Sequence, residues 1–95
     1  MAPESNSPLQ LSVGRIPWRE VDGEIVALDP ATSVYISING SGAMLWRALV
    51  EGSSAEGLAE LLSTRYGIDP AQAAEDVEKF LRQLAERDWL TAVAS

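Results

Sequence analysis

Residues 22–38, DGEIVALDPATSVYISI, carry the clearest structural signals in this chain. Asp22-Gly23 predicts a two-residue hairpin turn, because both central residues of the favoured turn need a positive φ. Glu24 to Asp29 is predicted to be a strand, Pro30 to Ser33 a second turn, and Val34 to Ile38 the next strand. These segments predict consecutive antiparallel strands joined by short turns.

The chain before this stretch predicts one more strand. Leu9 to Val21 carries alternating apolar residues, and Pro17 lacks the N–H that a central strand must donate, so we expect a bulged or edge strand here. Residues 1–8 are rich in proline and serine and are expected to be a disordered lead-in. The predicted domain spans residues 9–90, and residues 91–95 are expected to form a flexible tail.

After Ile38 the hydrophobic period changes from strand to helix, and three helices are predicted. Asn39 or Ser41 caps the first helix, which Glu51-Gly52 ends. Ser53 to Glu56 matches a capping box that opens the second helix. Asp69 to Gln72 opens the third helix with a cap, a proline at the first helical position and Gln72 as box partner.

The third helix carries an apolar stripe, and the chain returns to the core after it. The stripe has the spacing of one buried helix face and consists of Val77, Phe80, Leu81 and Leu84. Trp89 and Leu90 follow and are expected to fold back and close the core. The predicted fold class is α+β and winged-helix-like, with a three-stranded antiparallel β-meander followed by three α-helices.

Composition excludes several kinds of function. The chain has 95 residues, no Cys and no His, so thiolate or imidazole metal sites and Cys or His nucleophiles are excluded. No set of carboxylates and hydroxyls converges with a base, and Gly40-Ser41-Gly42 lacks the lysine of a phosphate loop. We therefore predict a protein that is not an enzyme and holds no metal and no cofactor.

The charge balance bears on possible partners. The net charge is −7, and residues 69–88 carry three basic side chains against six acidic ones. Such a surface repels a phosphate backbone and an anionic membrane, so neither nucleic acid nor membrane is an expected partner. With no bilayer-spanning apolar run and no signal-peptide pattern, the sequence predicts a soluble, cytoplasmic protein.

The order and spacing of several segments resemble the PqqD-like family over about residues 16 to 90. The segments that carry the resemblance are EIVALD (24–29), VYISIN (34–39), GAMLWRAL (42–49), RYGIDP (65–70), DVEKFL (76–81) and Trp89-Leu90. One departure is Asp88, where the family often has glycine, and it concerns the local turn.

The resemblance implies a role in recognising peptides. Members of the family are recognition elements for ribosomally synthesised and post-translationally modified peptides, abbreviated RiPPs, and they bind the leader part of a precursor. A free-standing domain of this length is most similar to the discrete leader-binding protein of lasso-peptide biosynthesis. The implied partners are the precursor leader peptide, a separate leader peptidase and an ATP-dependent cyclase.

Strand addition at the third strand gives this role a mechanism. In a three-stranded meander the third strand is an edge, along which an extended peptide can pair. The resemblance places the leader in a cleft between this strand and the third helix. On a helical wheel, the candidate residues of the third helix and Arg87 lie along one flank of its buried stripe, and this flank is expected to form a wall of the cleft. The candidate peptide-binding residues are Val34, Tyr35, Ile36, Ser37, Ile38, Asp69, Ala73, Asp76, Phe80 and Gln83.

Several of these residues have a second interpretation. Phe80 is also a candidate core aromatic, Tyr35 an ordinary surface residue of a strand, and Asp69 a simple helix cap. Two classes of function stay open from the sequence: a leader-binding adaptor, and a winged-helix transcriptional regulator or general protein-interaction module. The absence of a basic recognition helix favours the adaptor.

Overall fold

The computed structural model describes residues 8–12 and 16–92. The helices in this part of the chain are α1 (Gly40–Glu51), α2 (Ala55–Tyr66) and α3 (Pro70–Glu86). The strands are β1 (Pro8–Leu11), β2 (Trp18–Val21), β3 (Glu24–Asp29), β4 (Val34–Ile38), β5 (Ser53–Ser54) and β6 (Leu90–Ala92). They form two antiparallel sheets, ordered β2-β3-β4 and β5-β1-β6, which confirms the α+β class. None of the described helices is long and apolar enough to cross a bilayer.

The β2-β3-β4 sheet is the predicted meander. Asp22 and Gly23 have φ angles of 51° and 83°, as the tight hairpin turn between β2 and β3 requires. In the second turn the Asp29 carboxylate accepts a hydrogen bond from the Ala31 N–H at 2.9 Å, and the Asp29 carbonyl accepts one from the Ser33 N–H at 2.7 Å. After this turn β4 forms one edge of the sheet, and its bounds are those predicted from the sequence.

The prediction of one strand over residues 9–21 is wrong. β1 and β2 belong to different sheets, and β1 pairs with β5 on one side and β6 on the other. Thr91 and Ala92 lie in β6 and not in a flexible tail, because β1 supplies them with backbone partners. Pro8 begins β1; the rest of the predicted lead-in, residues 1–7, and the end of the predicted tail, residues 93–95, lie outside the described residues.

The helix starts follow the sequence with three corrections. Asn39 occupies the cap position of α1, but its side chain makes no capping hydrogen bond. Ser54 caps α2 by accepting from the Gly57 N–H at 3.0 Å, so the predicted box between Ser53 and Glu56 is out of register by one residue. Asp69 caps α3, accepting from the Ala71 N–H. Gln72 donates to Asp76 at 2.9 Å instead of closing the predicted box.

Three tryptophans join the two sheets and the helices in one core. Trp46 of α1 is fully buried and makes edge-to-face contacts with Trp18 and Trp89, with ring centroids 5.8 and 6.0 Å away. The other buried apolar residues come from every layer: Leu9, Leu11, Ile16, Ile25, Ala27, Ala43, Leu45, Leu49, Leu58, Leu62, Ala73, Val77 and Leu84. As predicted, the chain folds back at Trp89 to close this core.

The C-terminus of α3 places Trp89 by a Schellman motif. The Trp89 N–H donates to the Leu84 carbonyl and the Asp88 N–H to the Ala85 carbonyl, each at 3.0 Å. Asp88 has a φ of 60°, the left-handed conformation that glycine adopts most readily and that aspartate tolerates better than most residues. The departure from the family pattern at this position is thus accommodated without loss of the turn.

An ion pair ties the end of α3 to the main sheet. Asp29 ends β3 and is 5% exposed, and its Oδ2 accepts a hydrogen bond from Arg87 Nη1 at 2.6 Å. The Arg87 guanidinium also lies 5.5 Å from the centre of the Trp89 ring, within cation–π range. Asp29 therefore holds both the turn before β4 and the residue after α3.

We expect Asp29→Ala to lower the free energy of unfolding by about 2 kcal/mol, because it removes a charge-assisted hydrogen bond and the N–H acceptor of the turn. Urea denaturation followed by tryptophan fluorescence measures the change. Glu78→Ala is the control, since it removes only an exposed ion pair with Arg82 one helical turn away and should cost less than about 0.5 kcal/mol. Equal unfolding midpoints for the two variants would contradict the role of Asp29.

Candidate peptide-binding site

A cleft lies between the edge strand β4 and the C-terminal half of α3. Its volume of about 600 Å³ falls within the range of about 300–1,000 Å³ typical of ligand clefts. The residues that line it are Ile36, Ser37, Ile38, Asn39, Gly42, Phe80, Gln83, Leu84, Glu86, Arg87 and Trp89. The two walls of the cleft, β4 and α3, run antiparallel. Arg87 contacts Asp29, which is paired with Val34 at one end of β4, whereas Phe80 lies near Gly42 at the Ile38 end.

The hydrogen-bonding pattern of the sheet determines which backbone groups of β4 are open. In an antiparallel sheet the N–H and C=O of one residue point to the same neighbouring strand, and the direction alternates along the chain. The Leu28 N–H donates to the Pro17 carbonyl on the β2 side, so Ala27 points towards β4. Ala27 is paired with Ile36, which therefore points back to β3. The N–H and C=O groups of Tyr35 and Ser37 consequently point away from the sheet.

The two edges of this sheet are protected differently. β2 carries Arg19 and Glu20 and follows Pro17, and charges and proline on an edge strand are common protection against pairing with other chains. β4 has the sequence VYISI, without charge or proline. Tyr35 is 70% exposed and Val34 is 54% exposed. The β4 edge therefore has the composition of a strand that accepts a partner.

The base of the cleft is apolar. Ile36 and Ile38 lie on the inner face of the sheet, since their cross-strand partners Ala27 and Ile25 are fully buried. Opposite them stand the half-buried Phe80 and the buried pair Leu84 and Trp89 that the Schellman motif brings together. This base can bury apolar side chains of a bound segment.

The rim of the cleft is polar at the end near Val34. Gln83, Glu86 and Arg87 line it from the α3 side. Arg87 directs one N–H to Asp29 and stacks on Trp89, so its guanidinium is held in place while its side chain stays 43% exposed. An arginine has five N–H donors, and the others can bind a carbonyl or carboxylate of a peptide.

The structure brings together half of the predicted site residues. Ile36, Ser37 and Ile38 from β4 and Phe80 and Gln83 from α3 all line the cleft. Phe80 packs against the core, which confirms one of its interpretations, and it also borders the cleft, so its contact with a peptide stays a prediction. Val34 and Tyr35 lie on the same strand but are exposed and do not line the cleft.

The other three predicted residues lie towards the N-terminus of α3, outside the cleft. Ala73 is fully buried in the hydrophobic core, which corrects its placement on the cleft wall. Asp69 is exposed and caps α3. Asp76 is half-buried and accepts a hydrogen bond from Gln72.

The predicted site set omits six residues that line the cleft. They are Asn39, Gly42, Leu84, Glu86, Arg87 and Trp89. Leu84 and Trp89 were expected in the core and Arg87 on the flank of α3, and the turn after α3 brings Trp89 next to Leu84 and Arg87 on the side that faces β4. The sequence contains a signal for that turn only in the pattern of a helix end followed by an apolar pair.

The part of the chain that the structure describes contains no group of three or more His, Cys, Asp or Glu side chains that could hold a metal ion. The cleft itself presents main-chain groups, apolar side chains, two amides, one carboxylate and one guanidinium. Such a set of groups is suited to holding an extended peptide.

The fold and the cleft together define a class of protein: a small α+β domain whose sheet leaves one strand edge open beside a helix. The chain belongs to the PqqD family, since the family model for coenzyme PQQ synthesis protein D matches residues 24–90, well over half of the chain. This match confirms the resemblance seen in the sequence. No curated protein matches the sequence.

Solved structures show the same fold. TbiB1 in complex with the TbiA(beta) leader peptide is 27% identical, with a TM-score of 0.77, and the match covers 90% of this chain and 99% of that chain. A lasso peptide synthetase B1 complexed with its leader peptide is 23% identical, with a TM-score of 0.75 and coverage of 87% and 96%.

A third solved structure is a PqqD domain. The PqqD truncation of PqqCD from Methylobacterium extorquens, determined by solution NMR and described as a functional, stand-alone RiPP recognition element, is 22% identical. Its TM-score is 0.68, and the match covers 95% of each chain. The fold is therefore shared between lasso-peptide and PQQ proteins.

Amide hydrogen exchange measured by NMR tests which groups of β4 are open. We expect the amides of Tyr35 and Ser37 to exchange at least about tenfold faster than those of Ile36 and Ile38, because only the latter are bonded to β3. Slow exchange at Tyr35 and Ser37 with fast exchange at Ile36 would show that the strand register is shifted by one residue.

Proposed function

We propose that this protein binds the leader segment of a ribosomally synthesised precursor peptide and delivers it to the enzymes that process the precursor. The observation that carries the proposal is the open, uncharged edge of β4 beside a cleft with an apolar base. Membership of the PqqD family and the 27% identity to TbiB1, a protein solved with a leader peptide bound, support it.

The main chain of the leader supplies the first part of the binding energy. An extended segment placed about 4.8 Å from β4 can pair with the N–H and C=O groups of Tyr35 and Ser37. These interactions do not depend on the side chains of the leader. Strand addition accordingly provides affinity and orientation, and leaves sequence selection to the cleft.

Side chains of the leader supply the selection. In the added strand, residues beside Tyr35 and Ser37 project to the outer face of the sheet, and residues beside Ile36 and Ile38 project to the inner face. Two leader residues spaced i and i+2 therefore enter the cleft. One meets Leu84 and Trp89, and the other meets Gly42 and Phe80.

Contacts beyond the cleft extend the proposed site. Asp76 precedes Phe80 by about one helical turn on the same flank, which places it about 6 Å along the axis of α3. A leader longer than the edge strand passes Asp76 and then Asp69, whose carboxylates can accept hydrogen bonds from it. Val34 and Tyr35 contact the leader at the opposite end of β4.

We assign the processing steps to partner enzymes, a leader peptidase and a cyclase, and none to this chain. A protein without Cys or His has no thiol or imidazole nucleophile or base to offer. Partners of the lasso-peptide type are proposed from the resemblance of the sequence to the discrete leader-binding protein of lasso-peptide biosynthesis. Since the ligand is a ribosomal product, the proposal places the encounter in the cytoplasm.

The alternative of a DNA-binding regulator has less support. Lys79 and Arg82 of α3 pair with Glu75 and Glu78 at 3.8 and 2.8 Å, respectively. Arg87 is engaged by Asp29. These pairings leave α3 without the basic face that contacts phosphates in a major groove.

Ser37→Pro tests the proposal at the edge strand. Proline removes one outward N–H and adds a ring there, while the pairing of Ile36 and Ile38 with β3 stays intact. We expect about a tenfold weaker affinity for the leader segment of the precursor encoded beside this gene, since a main-chain hydrogen bond contributes about 0.5–1.5 kcal/mol. Fluorescence polarisation with fluorescein-labelled leader measures the affinity.

The matched control is Glu20→Pro on the opposite edge of the same sheet. The N–H and C=O of Glu20 also point away from the sheet. Val26 points towards β2, as Leu28 does, so its partner Arg19 points towards β3 and the next residue, Glu20, points outward. This variant loses an exposed ion pair with Arg47, which contributes little, and should bind the leader normally. Circular dichroism checks that both variants fold. Normal binding by Ser37→Pro, or an equal loss in Glu20→Pro, would place the leader elsewhere.

A further inference from the structure

Gly42 lines the cleft at the Ile38 end, in the first turn of α1. We infer that Gly42 sets the size of the apolar leader side chain that the cleft accepts at this end, because the absence of a Cβ keeps the space between Ile38 and Phe80 open. The inference rests on the proposed function and adds to it a residue that determines specificity.

The backbone at Gly42 does not require glycine. Gly40, two residues earlier, has a φ of 58°, in the left-handed region that favours glycine. Gly42 is not among the positive-φ glycines, and it lies within the α-helix. Alanine would be the better helix former at such a position, so helix propensity does not account for the glycine.

The space around Gly42 gives a different reason. A Cβ built on Gly42 would lie 2.8 Å from Ile38 Cγ2 and 3.7 Å from Phe80 Cε1. The first distance is too short for two carbon atoms, whose favourable separation is about 3.5–4.0 Å. The two atoms belong to the strand wall and the helix wall of the cleft, so Gly42 lies where the walls converge.

The structure indicates where Ile38 would move. Its cross-strand partner Ile25 is fully buried in the core, which leaves no room on the sheet side. Ile38 itself is half-buried and borders the cleft. A methyl group on Gly42 therefore displaces Ile38 into the cleft and also occupies space beside Phe80, and both changes reduce the room for a leader side chain.

Affinities of Gly42→Ala for a set of leader peptides test this inference. The probes are the fluorescein-labelled leader of the precursor encoded beside this gene and variants in which each apolar residue is replaced in turn by alanine. For the unchanged leader we expect about a tenfold loss of affinity, the size of effect that one methyl group has in an apolar pocket. At the leader position whose side chain enters this end of the cleft, the peptide that carries alanine should bind the Gly42→Ala protein about as tightly as it binds the wild-type protein.

Two further variants separate selection from damage to the fold. Gly57→Ala is the matched control, because its Cβ would meet only the hydroxyl ends of Ser53 and Ser54, at 3.1 and 3.2 Å, in the first turn of α2. It should bind every peptide normally. Ile38→Val removes one methyl group from the same wall without a clash, and should shift the preference at that position towards a larger side chain.

The outcomes distinguish the inference from the proposed function. If Gly42→Ala weakens all peptides equally or none of them, or if Ile38→Val leaves the size preference unchanged, Gly42 does not select by size, although leader binding stands. If the wild-type protein binds no leader peptide, the proposed function fails and the inference fails with it. A preference for a smaller leader side chain in Gly42→Ala, together with a preference for a larger one in Ile38→Val, supports the inference.

Discussion

The open backbone groups of Tyr35 and Ser37 are the constraint on which the account of this protein depends. Along an antiparallel strand the backbone N–H and C=O groups of successive residues point to opposite sides. The hydrogen bond from the Leu28 N–H to the Pro17 carbonyl therefore determines which residues of β3 bond to β4, and hence which residues of β4 are left open. Unpaired groups on an uncharged edge favour association with another extended chain. A leader peptide that satisfies them uses a site that the sheet already provides.

The remainder of the fold holds α3 at the correct place beside this edge. The Schellman motif turns Trp89 towards Leu84, and the Trp89 ring packs against Trp46 in the centre of the core. Asp29 reaches from the end of β3 to Arg87. The helix wall of the cleft is therefore connected to the core through Trp89 and to the sheet through the part-buried pair of Asp29 and Arg87, and a change in either connection is expected to alter the width of the cleft.

Local signals in the sequence predicted the main sheet and the helices, whereas contacts between distant segments were not predictable. The Asp22-Gly23 turn, the bounds of β4 and the proline start of α3 all follow from residues close together in sequence. The second sheet was missed because its strands are two to four residues long and pair across most of the chain. Ala73 was misplaced because a helical wheel shows the direction of a side chain and not whether other parts of the chain cover it.

Intermolecular nuclear Overhauser effects between isotope-labelled protein and unlabelled leader peptide show whether the leader pairs with β4. We expect contacts from leader backbone protons to the backbone protons of Tyr35 and Ser37, together with contacts from leader side chains to Phe80. Contacts confined to β2 or to α2, with none at β4, would contradict this expectation.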